Sequence, residues 1–163
     1  MGQDQISLQR INSAHPKLRC ELRTIYDEAN NRLGKSRLRF SHVLRTFDEQ
    51  TKLFNQRPKV TNAKAGQSFH NYGLAVDIVL LNDSDGNGSF DSASWDVFKD
   101  FDKDGIADWQ EVVKVFKKHG WEWGGDWRFK DMPHFQKTFG RTWQDLKRLH
   151  DEKRVDAEGF VKI

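Results

Sequence analysis

The stretch Ser68-Phe69-His70-Asn71-Tyr72-Gly73-Leu74-Ala75-Val76-Asp77 sets a histidine seven residues before an aspartate, with a glycine between them. The aspartate lies inside the apolar run Ala75 to Leu81, which Asn82-Asp83 closes. A short run of this kind, rich in branched residues and ended by turn formers, predicts a strand buried on both faces. With a period of two, Asp77 shares a face with Ala75 and Val79. A bare carboxylate among such neighbours is costly unless it is paired or holds a metal. Whatever fold the chain adopts must bring Asp77 a partner.

The remaining elements predict an α+β fold. From Pro16 to Leu33 the apolar residues fall at helical spacing, with proline near the start and Gly34 just past the end. Arg37 to Leu44 alternates loosely, as a strand would. Thr46-Phe47-Asp48-Glu49 has the form of a capping box, so a helix should run from Thr46 to about Gln56. Residues 57–69 read as a loop that delivers His70. Trp109, Val112, Val113 and Phe116 form the stripe of a helix ended by Gly120, and Trp121-Glu122-Trp123 reads as a short strand. Thr142 caps a last helix through about His150. The charged tail from Asp151 to Ile163 suggests no role. At 163 residues the chain is expected to be one domain, with a core at about 15–150 and an acidic, glycine-rich insert at 82–104.

Bulk properties narrow the function classes. A net charge of +3 fits an ordinary basic surface, and also an anionic polymer such as cell wall or nucleic acid. Cys20 is the single cysteine, so no disulfide forms within the chain, and its helical setting predicts a packing residue. Met1 to Arg10 is polar and no long apolar run occurs, which predicts neither a secretory signal nor a membrane span. The chain is then expected to wait in the cytoplasm until released, or to be secreted if a leader was removed.

Two acidic segments stand out. Asp100-Phe101-Asp102-Lys103-Asp104-Gly105-Ile106-Ala107-Asp108-Trp109-Gln110-Glu111 places Asp100, Asp102, Asp104, Asp108 and Glu111 at positions 1, 3, 5, 9 and 12 of a calcium loop, with glycine at 6. The other, starting at Asp83, has Ser94 where the final glutamate belongs. Ordinary turn chemistry and a helix cap at Asp108 account for the same residues. Both readings stand at this point.

Of six histidines, His15, His42, His119 and His150 have no suggestive neighbours. His70 and His134 do: one precedes the buried aspartate, the other follows Asp131 by three residues and a stiffening proline. Two imidazoles and a carboxylate, with a fourth position left to water, make up an open catalytic zinc site. Such a site needs a nearby carboxylate to take and return a proton. Asp131 is placed for this, and Glu122 is the next candidate. Arg45, just ahead of a helix N-terminus, is either an anion-binding group or an exposed turn residue.

The pattern Ser68-x-His70-x-x-Gly73-x-Ala75-x-Asp77, followed by Asp131-x-x-His134, resembles the signature of the zinc D-Ala-D-Ala metallopeptidase superfamily, whose core is shared with lysostaphin-type peptidases and the hedgehog signalling domain. HNYGLAVDIVLL, ADWQEV, WEWGGDW and FKDMPHFQ are similar to the L-alanyl-D-glutamate endopeptidases of phage endolysins and bacterial cell-wall hydrolases. The resemblance implies a small antiparallel sheet carrying zinc, flanked by helices. It implies His70, Asp77 and His134 as zinc ligands, Asp131 as general base and Arg45 as the group that steadies the oxyanion. Ser68, Trp123 and Asp126 would serve substrate binding, Ser68 through hydrogen bonds close to the site and the other two by lining the cleft. The implied function is hydrolysis of the peptidoglycan stem peptide at the L-Ala–D-Glu bond by a monomer that neither binds nucleic acid nor enters a membrane. A D,D-carboxypeptidase or dipeptidase with the same metal site is the second reading, and a non-catalytic, hedgehog-like metal-binding module the third. Asp131 and Arg45 weigh against the last, because a binding module needs no proton shuttle. The insert from Asn82 to Asp104 is longer than the short hairpin of many relatives.

Overall fold

A computed structural model describes residues 3–163; Met1 and Gly2, the start of the polar N-terminal stretch, lie outside the described residues. The architecture is α+β. Among the described residues five α-helices surround a small sheet, in the order α1 (Gln5–Asn12), α2 (Pro16–Arg32), β1 (Ser36–His42), α3 (Phe47–Asn55), β2 (Ala75–Asn82), β3 (Ser92–Ser94), α4 (Asp108–Lys118), β4 (Glu122–Trp123), β5 (His134–Gln136) and α5 (Trp143–Asp151). All strand pairs are antiparallel. The sheet runs β1-β2-β5-β4, with β3 pairing the distal part of β2. Among the described residues no helix is long and apolar enough to cross a membrane.

β2 is the central element, as its apolar run predicts. Val76, Ile78 and Leu80 are fully buried in a core they share with Leu18, Leu22 and Ile25 of α2, Phe40 of β1, Trp109 and Phe116 of α4, and Phe135 of β5. The Phe116 and Phe135 rings stack at 4.1 Å, which couples α4 to the strand that carries His134. The expected capping boxes form: Thr46 and Glu49 exchange hydrogen bonds at the start of α3, and Thr142 and Asp145 do so at α5.

Three features differ from expectation. The polar N-terminus contains a helix, α1, capped by Asp4, whose carboxylate also holds Arg39 of β1 at 2.6 Å. At eight residues, with Ile11 its one buried apolar side chain, it is too short for periodicity to announce it; long-range pairing supplies what periodicity does not. Cys20 is exposed rather than packed, because it lies on the solvent side of α2 while Leu18 and Leu22 face inward. The charged tail is docked, with Val155 bridging to Val161 and Val161 buried against the core. Phe160 meets the His15 ring edge-on at 5.5 Å, and Arg19 pairs with Glu158 at 2.5 Å.

Candidate active site

The sheet register creates the site. Asp77 on β2 lies directly across from His134 on β5 and from His42 on β1, so three neighbouring strands present one row of side chains on one face. His42 reaches this row because the β1–β2 register shifts between Phe40 and His42, a bulge that re-aims the strand end. His70 comes from the preceding element, a single 3-10 turn over Phe69–Tyr72. Ser68 caps that turn by accepting from the His70 N–H. Gly73 ends it with φ 68°, at a spot where a Cβ would collide with the backbone of His15, so glycine is required twice over.

The hydrogen bonds fix how each imidazole faces Asp77. His70 Nδ1 lies 2.7 Å from the Val43 carbonyl, which only accepts, so Nδ1 carries the proton and Nε2 presents its lone pair. That lone pair stands 3.2 Å from Asp77 Oδ1. His134 does the same with the opposite nitrogen. Its Nε2 donates to Gln136 Oε1 at 2.9 Å, and Nδ1 stands 3.3 Å from the same Asp77 oxygen. The Gln136 amide is oriented in turn by donating to Glu122 Oε2 at 3.2 Å. Three acceptors thus converge, and either a cation or an extra proton must separate them. Burial is the largest single influence on His134 and opposes its charge, but the bond to Asp77 and the Asp77 charge, with Gln136 and Asp131, together outweigh it and raise its pKa. Burial likewise opposes ionisation of Asp77, yet the two imidazoles hold its carboxyl well below the usual carboxylate range.

The donor set fits a metal ion. Ligands about 2.0 Å from a tetrahedral zinc lie roughly 3.3 Å apart, which is the spacing of both imidazole nitrogens from Asp77 Oδ1. His70 Nε2 is also a buried nitrogen without a hydrogen-bond partner among the described residues. His70, Asp77 and His134 form a group whose ligand atoms all lie within 4.8 Å of one another.

A cleft of about 440 Å³ opens over this group, walled by Arg45, Ser68, Trp127 and Asp131 and continued by Val60 and Thr61. The Asp131 carboxyl is raised above the ordinary range, first by burial and then by Asp77, against the pull of His134, His70 and Arg45. Its backbone is clamped: Asp131 N–H donates to the Gly124 carbonyl at 3.0 Å, and a side chain at 124 would strike the Asp131 carbonyl. Arg45 approaches the other oxygen of Asp77 at 4.0 Å and is braced by Gln50 Oε1 at 3.1 Å. Gln50 is fully buried and donates to the Ala63 carbonyl at 2.8 Å.

Residues 61–137 match the family model described as D-alanyl-D-alanine carboxypeptidase. The chain is also 48% identical over 98 residues to the peptidoglycan L-alanyl-D-glutamate endopeptidase CwlK of Bacillus subtilis. The segment that carries the site is thus similar to the D-Ala-D-Ala metallopeptidase superfamily. The CwlK alignment covers 56% of this chain and 55% of the relative, so the chain spans about half the length of the curated relative it matches.

Within this segment several residues fall elsewhere than expected. Trp123 and Asp126 do not wall the cleft. They line an adjoining depression with Lys117 and Gly120, on the other side of Trp127, because Trp123 packs inward with its indole N–H on the Met132 carbonyl and Asp126 pairs with Lys117 at 2.6 Å. Trp127, one residue on, takes the cleft position and tilts over His134 at 5.1 Å. Glu122, the second candidate base, stands behind His134 as the acceptor for Gln136. Sequence reading missed Gln136 and His42. Alternation along His134-Phe135-Gln136 places Gln136 on the same face as His134 and could have found it. Nothing local signals His42: its ring lies edge-on to His70 at 5.4 Å, and it arrives there through the bulge.

Proposed function

We propose that this chain is a zinc-dependent peptidoglycan hydrolase that cleaves the stem peptide at the L-Ala–D-Glu bond, with His70, Asp77 and His134 as the zinc ligands. The observation that carries this is the pair of tautomer-locked imidazoles aimed at one Asp77 oxygen beneath an open cleft. The L-alanyl-D-glutamate endopeptidase activity of the CwlK relative supports the choice of bond. A bound zinc ion supplies Lewis acidity and brings the pKa of a coordinated water towards ~7.

The chain's own residues supply the rest. Asp131, with its raised carboxyl at the cleft wall, takes the proton from the attacking water and returns it to the leaving amine. Arg45, held in place by Gln50, faces the negative charge that develops on the carbonyl oxygen. Ser68 acts indirectly, by holding the turn that carries His70. Val60, Thr61 and Trp127 form the walls that meet the peptide. On this reading the chain works as a monomer on the cell wall.

The description of the matching family model favours a second reading, a D,D-carboxypeptidase on the same centre. The cleft walls rather than the ligands choose the bond. Digestion of purified peptidoglycan by the zinc-loaded chain, with new termini read by mass spectrometry, separates the two. New N-terminal D-glutamate supports the endopeptidase, release of D-alanine the carboxypeptidase. Intact peptidoglycan would overturn both.

A further inference from the structure

The loop over residues 100–111 carries a cluster that does not line the cleft. Asp100, Asp102 and Asp108 bring carboxylate oxygens within 4.8 Å of one another, and so do Asp102, Asp104 and Glu111. Asp102 belongs to both groups. Asp108 is committed, with one oxygen accepting from Ser36 Oγ and the other from the Phe101 N–H. Glu111 is not. It sits in the first turns of α4, only 6% exposed, and its Oε2 is buried without a hydrogen-bond partner among the described residues. A shielded carboxylate aimed at two others, with no donor on its free oxygen, is an arrangement that a dication resolves.

The neighbouring acidic loop is an internal comparison. There Asp83 accepts from the backbone N–H groups of Asn87 and Gly88, and Ser94 occupies the position that Glu111 holds in the second loop. It is likewise acidic, with glycine at the sixth position, but it has no buried orphan, and no metal-ligating group forms from it among the described residues.

We propose that Asp100, Asp102, Asp104 and Glu111 bind a calcium ion, with Asp108 buttressing the loop from behind. The spacing places these residues at positions 1, 3, 5 and 12 of a calcium loop, with Gly105 at position 6 adopting φ 95°. An all-oxygen set of flexible carboxylates suits calcium; zinc prefers nitrogen and sulfur donors, and magnesium keeps several waters in a strict octahedron. No helix precedes the loop; it follows β3 and a turn, so the unit is a loop and its outgoing helix alone. Burial and the charges of Asp104, Asp102 and Asp108 push the Glu111 carboxyl up to about 7, in keeping with the geometry. The ion would fasten the start of α4 to the start of β1, because Asp102 accepts from the Gly34 N–H at 3.1 Å and Asp108 from Ser36.

Terbium tests this in the zinc-loaded full chain, since Trp109 at loop position 10 is placed to sensitise its emission. Saturable emission that calcium displaces, together with a calcium-dependent rise in melting temperature, is expected. Both should be lost in Glu111→Gln and in Asp104→Asn, an exposed position that leaves the fold intact, and both should survive His70→Ala. Glu111→Gln should also melt higher than the parent in the absence of calcium, because it removes like-charge repulsion. Absent or unsaturable emission, or calcium displacement unchanged in both loop variants, would overturn the proposal whatever the chain hydrolyses.

Discussion

His134 Nε2 and Gln136 Oε1 lie 2.9 Å apart on the same face of β5. This bond decides which nitrogen of His134 is left to face Asp77. Replacing Gln136 with leucine keeps most of the volume but removes the acceptor. Loss of such an orienting partner typically lowers metal affinity about 10–100-fold. The expected result for Gln136→Leu is weaker zinc retention against a competing chelator with an unchanged melting temperature in the metal-free state. Glu122→Gln, one step further back, should weaken zinc less, and an equal loss in both would contradict the ordering.

Asp131 and Arg45 wall the cleft without belonging to the three-residue metal group. Asp131→Asn should therefore bind zinc as the parent does and lose roughly 10²–10⁴-fold in kcat, the usual contribution of a general base. Arg45→Ala should lose about 10²–10³-fold in kcat with a smaller change in KM. Steady-state hydrolysis and metal analysis on the same samples check both, and activity surviving in Asp131→Asn would remove it from the proposed mechanism.

His15 makes stability depend on pH in a predictable direction. Its Nδ1 accepts from the Lys17 N–H at the head of α2, and its Nε2 meets the Val161 carbonyl of the tail at 2.9 Å. Burial is the largest influence and lowers its pKa below the ordinary 6.5. Below 6.5 the unfolded chain binds the proton that the folded chain refuses, so the His15 contribution is full above that pH and is lost as pH falls towards the folded value. His15→Asn keeps a good helix cap and removes the titration. Thermal denaturation at pH values on either side of 6.5 should show a smaller acid-side loss in the variant than in the parent. Parallel curves would contradict this.

Much of the site was legible because its parts lie in local patterns. The His70-to-Asp77 stretch is one turn and one strand, and Asp131 and His134 are joined by a proline and a two-residue gap. The strand period alone placed Asp77 among buried neighbours. What was not legible depends on pairing between distant segments. The bulge after Phe40 turns His42 towards Asp77, and no feature of β1 announces it. Trp123 and Trp127 flank the same Gly124-Gly125 turn, and only the packing of Trp123 beside Phe135 shows which of them is free to face the cleft. The tail looked idle because its docking rests on a few contacts, Val161 and Phe160 above all, spaced among charged residues.

The metal assignment itself is tested most directly by zinc content after dialysis of the parent and of single variants at His70, Asp77, His134 and His42. The account predicts one zinc ion per chain in the parent and in His42→Ala, and its loss in His70→Ala, Asp77→Ala and His134→Ala. Zinc retained in His70→Ala but lost in His42→Ala would contradict it.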